Sequence, residues 1–271
     1  MRKITLLLSS LLFLVTAFTQ DNTCSVENKS FQAGEKIRYR ISYNWFVVFA
    51  EVGDVTFTVE DAEIDGKKAL HFTGDGRSNS WWDTFFEVRD KYEVYVNPEN
   101  LRPYYFERNI KEGNFTQFVN YNIHESDTLA FCKYRVKEGD WEYDTIGINS
   151  CTYDIMSTLL FARNIDYSNI KKGQKIPVTV LLDRKLYNLY FRYQGNEIVT
   201  IKKVGEFECM KFSVMVIEGN MFHEGENLQI WVTKDKNHMP VFIESPIQVG
   251  NVKVRLQSWE GLRYPLESKI K

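Results

Sequence analysis

Short runs in which apolar and polar side chains alternate recur along most of the chain. In the first such run the apolar set is Ile37, Tyr39, Ile41 and Tyr43, and the residues between them are charged or carry hydroxyl groups. A period of two is typical of a strand with one buried and one solvated face. Comparable runs continue to the end of the chain, so we predict strands along most of its length.

Turn-forming residues separate these runs. Asp65 and Gly66 lie between two alternating segments, which is a strong signal for a two-residue hairpin. Around Gly195, the segments 186–195 and 197–204 predict two separate strands. Residues 231–245 predict a further hairpin, whose loop contains Asp235, Asn237 and Pro240. Neighbouring strands joined in this way are antiparallel.

Residues 152–163 depart from the strand pattern. A helix there would place Ile155, Leu159 and Ala162 on one apolar stripe. Its start would be capped by Thr152 or Asp154, whose side chains accept hydrogen bonds from backbone N–H groups. We therefore predict one helix inserted among the strands.

Taken together, these elements predict an all-β fold, a large antiparallel curved sheet with one inserted helix near 152–163. A twisted sheet of this size curls into a barrel, a half-barrel or a sandwich. No linker or change in composition divides the chain, so residues 20–271 are predicted to form a single β domain.

The N-terminal segment resembles a secretory signal peptide. Arg2 and Lys3 precede an apolar run over residues 4–15, and small side chains stand before a cleavage point at Gln20. The alternative, an uncleaved membrane anchor, conflicts with the length of this run, since a span needs about 20 apolar residues. We therefore predict that residues 1–19 are removed and that the protein is exported to the periplasm or cell envelope, soluble after cleavage.

Four cysteines follow the predicted leader: Cys24, Cys132, Cys151 and Cys209. Polar residues precede Cys24, which argues against lipid attachment there. An oxidising compartment permits one or two disulfides among the four. We predict that Cys24 pairs with Cys151, because the extended N-terminal segment otherwise has little to hold it.

Charge excludes one class of partner. The chain has 34 basic and 36 acidic residues, with a formal net charge of −2, and the two signs are interspersed. Nucleic-acid binding requires a basic patch or stripe. We therefore expect no nucleic-acid partner.

Aromatic residues make up 15% of the chain and form one dense cluster. Trp81, Trp82, Phe85 and Phe86 would share one side of a helical turn. They predict either a plug in the core at one end of a barrel, or a flap over an apolar cavity or a surface that meets lipid or a partner. The apolar segment that contains Trp45 leaves the same alternatives open. We take these five residues as the candidate ligand-binding set.

The motifs of common hydrolases, metalloenzymes and nucleotide-binding proteins are missing from the sequence. The four histidines are scattered, so no metal site and no cofactor are predicted. Asp83 and Glu87 would suit a hydrolase if they flanked a cleft. The alternative, a salt-bridged edge of the sheet, needs no special geometry, and we expect a protein that is not an enzyme.

Several segments resemble one known family. They are FQAGEKIRYRISYNW and AEVGDVTF near the start, FFEVRDKYEVYV and LRPYYFERNI in the middle, CTYDIMSTLLFARNID, KKGQKIPV and GEFECMKF further on, and WVTKDKNHMPVFIES near the end. From Phe31 to Leu266 the chain is similar to an envelope family, number 3108 among the domains of unknown function. This resemblance implies an exported, mostly β protein with no assigned reaction. The closing hairpin is also similar to the half-barrel lipoprotein carriers of the periplasm, which implies a helix packed across the concave face of a curved sheet.

The resulting hypothesis is a non-enzymatic envelope protein that binds a lipid-like or other apolar ligand in a curved sheet. The alternatives are a structural or interaction protein that docks another envelope protein through the aromatic cluster, and a secreted hydrolase that uses Asp83 and Glu87. An open apolar cavity would favour the first hypothesis, and a filled core with an exposed aromatic patch would favour the second.

Overall fold

The computed structural model describes residues 26–45, 48–123, 128–216, 225–247 and 250–271. The predicted signal peptide and Cys24 lie outside this part of the chain. Within it are one α-helix, α1 (Ile155–Arg163), one 3₁₀ turn (Trp82–Thr84) and fifteen strands. The strands are β1 (Lys36–Trp45), β2 (Val48–Ile64), β3 (Lys67–Ser78), β4 (Val88–Val96), β5 (Pro103–Glu112), β6 (Phe115–Ile123), β7 (Leu129–Val136), β8 (Glu142–Gly147), β9 (Thr152–Tyr153), β10 (Lys175–Leu182), β11 (Lys185–Ile201), β12 (Gly205–Val216), β13 (Gly225–Thr233), β14 (Pro240–Pro246) and β15 (Asn251–Glu260).

All fifteen strands belong to one sheet, in the order β8-β7-β6-β5-β4-β3-β2-β1-β15-β14-β13-β12-β11-β10-β9. Nearly every strand pairs with its neighbour in sequence, and the β1–β15 pair joins the two halves. The predicted all-β fold, with a large antiparallel sheet and one helix, is confirmed. One pair differs, because the two-residue β9 runs parallel to β10.

The sheet is open, with β8 and β9 as its edges. These edge strands are separated by only four residues, 148–151. Five extended residues span at most about 18 Å, so the end of β8 and the start of β9 lie close together. The sheet must therefore curl until its two edges approach each other.

The Asp65-Gly66 hairpin is confirmed. Ile64 pairs with Lys67 across it, and the φ angles of Asp65 and Gly66 are 51° and 73°. Two consecutive positive φ angles define the tight turn whose twist matches that of the flanking strands.

Two details of the strand prediction are wrong, and each lies next to a β-bulge. In β1 the buried face does not continue to Tyr43, because Ser42 is the buried residue there, with 1% exposure. The pairing with β2 shifts at this point, between Ile41 and Ser42, and the extra residue is Val52 of β2. The two strands predicted around Gly195 are one strand, β11, with a bulge at this glycine. A bulge adds one residue to one strand and re-aims its side chains without ending the strand.

Helix α1 has the predicted cap. The Asp154 carboxylate accepts hydrogen bonds from the backbone N–H groups of Met156 (2.7 Å) and Ser157 (2.9 Å). The Ser157 hydroxyl in turn accepts one from the Asp154 N–H (3.0 Å), which completes a capping box. Burial raises the pKa of Asp154 to about 6.

The helix lies inside the curl of the sheet. It contacts β4 on one half and β9 and β10 on the other. Met156 and Leu160 pack into the core of the first half, and Phe161 packs into a second core beside β10 to β12. Gly74 permits this close packing, because a Cβ there would lie 3.2 Å from the Met156 methyl group. The arrangement agrees with the helix position that the likeness to half-barrel carriers implied.

A buried ion pair fixes the C-terminal end of α1. Arg163 donates to the Glu35 carboxylate at 2.5 and 3.0 Å and to the carbonyl oxygen of Asn237 at 3.1 and 3.0 Å. The Ser30 hydroxyl donates to the Arg163 carbonyl at 2.6 Å. The helix is thereby tied to the segment before β1 and to the β13–β14 hairpin.

Among the described residues, we find no helix whose length and apolar character would let it cross a bilayer.

Candidate functional site

An apolar cavity of about 440 Å³ lies between α1 and the concave face of β10 to β14. The helix contributes the stripe Ile155, Leu159 and Ala162 to its wall, together with Thr158. Met156 and Leu160, on the adjacent side of the helix, pack into the core instead. The predicted stripe therefore faces the cavity, whose volume lies in the range of about 300–1,000 Å³ that is usual for ligand sites.

Alternating residues of the strands complete the wall. Successive side chains of a strand point to opposite faces, so residues two apart line the same surface. The apolar strand residues on the cavity are Val180, Leu182, Leu189, Phe191, Phe212, Val214, Met215, Leu228, Ile230, Val232 and Pro240. Met215 departs from the alternation where the pairing of β12 with β13 shifts, between Val214 and Val216. The wall is thus built from side chains that are far apart in sequence and brought together by strand pairing.

Two polar residues beside the cavity, Tyr167 and His238, have partners in the protein. The Tyr167 hydroxyl donates to the Ala162 carbonyl at 2.6 Å, and His238 donates from Nδ1 to the Arg163 carbonyl at 2.7 Å. Burial lowers the pKa of His238 and so favours the neutral imidazole. These groups support the helix end and leave the cavity an apolar environment.

The turn between β10 and β11 forms one rim of the cavity. Asp183 of this turn lines the cavity, and both Asp183 and Arg184 have positive φ angles, 47° and 66°, without being glycine. Such a turn is strained unless its surroundings hold it. Asp183 is paired with the buried Arg108 of β5, and Arg184 with Glu142 of β8 at 2.6 Å. These contacts hold the turn against the opposite half of the sheet.

Polar side chains gather where this turn meets β4 and β5. The Arg108 guanidinium also donates to Gln117 at 2.6 Å, but its buried Nε has no partner among the described atoms. Asp90 of β4 lies near Arg108 and Glu112. Burial, and after it repulsion by Glu112, raises the pKa of Asp90 to about 7. A carboxyl group in this setting changes charge near neutral pH.

Asp90→Asn should change how stability depends on pH. The pKa of Asp90 in the folded protein lies above the ordinary 3.8. The contribution of its protonated carboxyl group to stability is therefore fully present below pH 4 and is lost as the pH rises to about 7. After allowance for the partial exposure of Asp90, we expect the free energy of unfolding of the variant to exceed that of wild type by about 1–2 kcal/mol at pH 8.5. Below pH 4 the two free energies should be equal. Urea unfolding measures this difference. Asp61→Asn, at an exposed position, is the control, and an equal gain there would contradict the assignment.

The predicted aromatic set lies elsewhere. Trp81, Trp82, Phe85 and Phe86 occupy the connection between β3 and β4, here called the aromatic turn, and none of them lines the cavity. Trp81, Phe85 and Phe86 are 49%, 75% and 46% exposed, so the interpretation as a core plug is wrong. Trp45 ends β1, and its side chain lies outside the described part of the structure. A ligand-binding role for these residues stays a prediction.

Polar contacts hold the base of the aromatic turn. Asp83 pairs with Arg89 at 2.6 Å and also accepts from the Ser78 hydroxyl. Glu87 pairs with Lys111 of β5 at 2.6 Å. Hydrogen bonding from Arg89 lowers the pKa of Asp83, the opposite of what a general acid requires. This geometry supports the salt-bridged edge and gives no support to a hydrolase built on the two carboxylates.

The structure describes three of the four cysteines and two of the four histidines. Cys151 is disulfide-bonded, but its predicted partner Cys24 is outside the described residues, so the pairing stays a prediction. Cys132 and Cys209 are free and buried, and burial raises their pKa values to about 11 and about 12. In the described ranges no three His, Cys, Asp or Glu side chains are grouped to hold a metal ion; His124 and His223 fall in the gaps.

Sequence reasoning missed the strand side of the cavity. Its signal was present in the alternating apolar residues of β10 to β14, for example Leu228, Ile230 and Val232. The same alternation, however, is expected of a filled core. Only the distance between helix and sheet distinguishes the two, and that distance is a property of the tertiary structure.

Comparison with known proteins adds a family and a fold. No curated protein matched the chain. The structure is similar to a crystal structure of a beta-barrel-like protein of domain of unknown function DUF1849 from Brucella abortus, with a TM-score of 0.55, 6% identity, and coverage of 85% of this chain and 98% of that one. At this identity the likeness concerns the fold alone. A family model described as "Protein of unknown function (DUF3108)" matches residues 38–257, and the chain therefore belongs to the DUF3108 family.

Proposed function

We propose that this protein is an exported, non-enzymatic envelope protein that binds one lipid-like or other apolar ligand between α1 and β10 to β14. The observation that carries the proposal is the apolar cavity of about 440 Å³. Protein interiors are normally packed with few voids larger than a water molecule. An apolar space of this size is therefore best explained as a place for a molecule that the chain does not supply.

The wall indicates the chemistry of the ligand. Aliphatic and aromatic side chains of α1 and the strands form most of the wall, while Asp183 lies at the rim. Apolar cavities stay dry and take up apolar molecules. We propose a ligand whose hydrocarbon part fills the interior and whose polar end, where it has one, remains at the rim beside Asp183.

Two observations support the proposed location. The N-terminal 19 residues have the composition of a signal peptide. Cys151 is disulfide-bonded, and structural disulfides persist mainly in oxidising compartments such as the periplasm. Cys132 and Cys209, which form no disulfide, are buried and have raised pKa values. Their thiols are therefore unreactive, because the thiolate is the reactive form. We propose binding instead of chemistry because we recognise no catalytic grouping among the described residues of the cavity wall.

The test uses the mature protein purified from envelope extracts. We expect solvent extraction and mass spectrometry to release an apolar molecule, about one for each chain. The stripped protein should then bind the fluorescent probe N-phenyl-1-naphthylamine with the same stoichiometry. The intact mass also tests export, because cleavage before Gln20 removes residues 1–19. If extraction releases nothing and the stripped protein does not bind the probe, the proposal fails.

A further inference from the structure

The aromatic turn exposes large apolar side chains to solvent. Phe85 is 75% exposed, and Trp81 and Phe86 are about half exposed. The rings contact one another, with centroids 5.3 Å apart for Trp81 and Trp82 and 6.1 Å apart for Trp81 and Phe85. Singly scattered apolar residues are normal on a surface, but a contiguous cluster marks an interaction site.

Strand topology places this turn at the same end of the sheet as the rim of the cavity. From β3 to β10 the sheet order contains eight successive antiparallel pairs, so these two strands run in the same direction. The C-terminal end of β3, which leads into the aromatic turn, therefore lies at the same end as the β10–β11 turn.

Contacts through β5 join the two features. Arg108 of this strand holds Asp183 at the rim of the cavity. Three residues further along, Lys111 pairs with Glu87 at the base of the aromatic turn. The Phe86 ring packs over Gly113 at the end of the same strand, where a Cβ would come within 3.0 Å of it. One strand thus positions both the aromatic turn and the cavity rim.

We propose that the aromatic turn docks on the surface of a lipid bilayer, with the cavity rim facing the membrane. Docking would let an apolar ligand pass between the bilayer and the cavity without crossing water. This purpose rests on the proposed function. Tryptophan favours the membrane interface, where an amphipathic ring meets both hydrocarbon and water. Phe85 at the tip has the apolar character needed to enter the acyl region.

The size of the cluster favours a bilayer over a protein partner. A stable protein interface buries about 1,200–2,000 Å² and about 20–30 residues on each side. The exposed cluster here is the tip of one turn, formed by Trp81, Phe85 and Phe86. Interfacial anchors instead need only reach about 5–10 Å into the boundary between head groups and acyl chains.

The charges at the base of the turn predict how membrane binding depends on salt. Asp83 is paired with Arg89 and Glu87 with Lys111, at 2.6 Å in each case. These two pairs leave no net positive charge among the four side chains to attract anionic head groups. Insertion of apolar rings should therefore drive the binding, and salt should affect it little.

The experiment compares vesicles of phosphatidylcholine with vesicles that also contain phosphatidylglycerol. We expect the mature protein to sediment with both kinds, with a tryptophan emission shift to shorter wavelength and less than about a twofold change between 0.1 and 0.5 M salt. The double variant Trp81→Ala/Phe85→Ala should bind about tenfold more weakly, because it removes the inserting apolar surface.

The matched control is the double variant Phe131→Ala/Tyr143→Ala, which removes exposed rings from β7 and β8, 45% and 72% exposed. It should bind vesicles as wild type does. Equal thermal stability of all three proteins is expected. An equal loss of binding in the control, strong salt dependence, or no binding to either vesicle would overturn the proposal, and the last outcome would favour a protein partner.

Uptake of N-phenyl-1-naphthylamine without vesicles separates this proposal from the proposed function. Trp81 and Phe85 do not line the cavity, so the variant should take up the probe normally while losing vesicle binding. If the wild-type protein binds vesicles but takes up no probe, the proposed ligand binding is refuted. The proposal of membrane docking is not affected by that result.

Discussion

Glu35→Gln should lower the free energy of unfolding by about 3–5 kcal/mol. Glu35 and Arg163 have side chains only 2% and 8% exposed, and their shortest contact is 2.5 Å. Removing the negative charge leaves a buried guanidinium without a counterion, which is far more costly than losing an exposed pair. For a chain of this length the melting temperature should fall by roughly 10 °C.

Glu142→Gln provides the matched control for this substitution. It makes the same chemical change in the Arg184–Glu142 pair, whose side chains are 31% and 56% exposed. Exposed pairs contribute about 1 kcal/mol or less. Chemical unfolding of the two variants at one pH measures the contrast. Similar losses for both would mean that burial does not set the strength of the Glu35–Arg163 pair.

Ala162→Trp should weaken binding of an apolar ligand by about a hundredfold or more, equivalent to about 2.7 kcal/mol. Ala162 lies on the cavity stripe of α1, and its small side chain leaves room that an indole would fill. Its carbonyl contact with the Tyr167 hydroxyl does not involve the side chain. Titration with N-phenyl-1-naphthylamine measures the loss, and near-wild-type circular dichroism should accompany it.

The control for this change is Thr200→Trp, on the same half of the sheet. Thr200 is exposed on β11 and does not line the cavity. Tryptophan is well accepted in strands, so this variant should fold and bind the probe as wild type does. Retention of full binding by Ala162→Trp would place the ligand outside the cavity.

Local sequence signals predicted the secondary structure because each depends on a few neighbouring residues. Asp65-Gly66 determines its turn through the positive φ angles that both residues adopt. Asp154 caps α1 through backbone N–H groups two and three residues away. The bulges at Val52, opposite Ile41, and at Gly195 escaped prediction, since a bulge depends on the pairing with the partner strand.

The candidate site was harder to predict because it depends on long-range packing. The Trp81–Phe86 cluster was predicted to bind an apolar ligand, which stays a prediction, and Trp81, Phe85 and Phe86 are exposed on a turn with a polar base. The wall of the cavity is formed by the less conspicuous stripe of α1 and by mostly alternate residues of five strands. Likewise, nothing local in the sequence indicates that Glu35 and Arg163, far apart in the chain, form a buried pair.

The order of strands has a consequence for how the molecule forms. Almost every pair joins strands that are adjacent in sequence, so the entropy lost in closing each hairpin is small. The exception is β1 with β15, which brings Lys36 next to Glu260. Each half can therefore grow by adding hairpins one after another, and joining the first strand to the last is the step most limited by chain diffusion. Until that step, both halves have an unprotected strand edge that can pair with another copy of the chain.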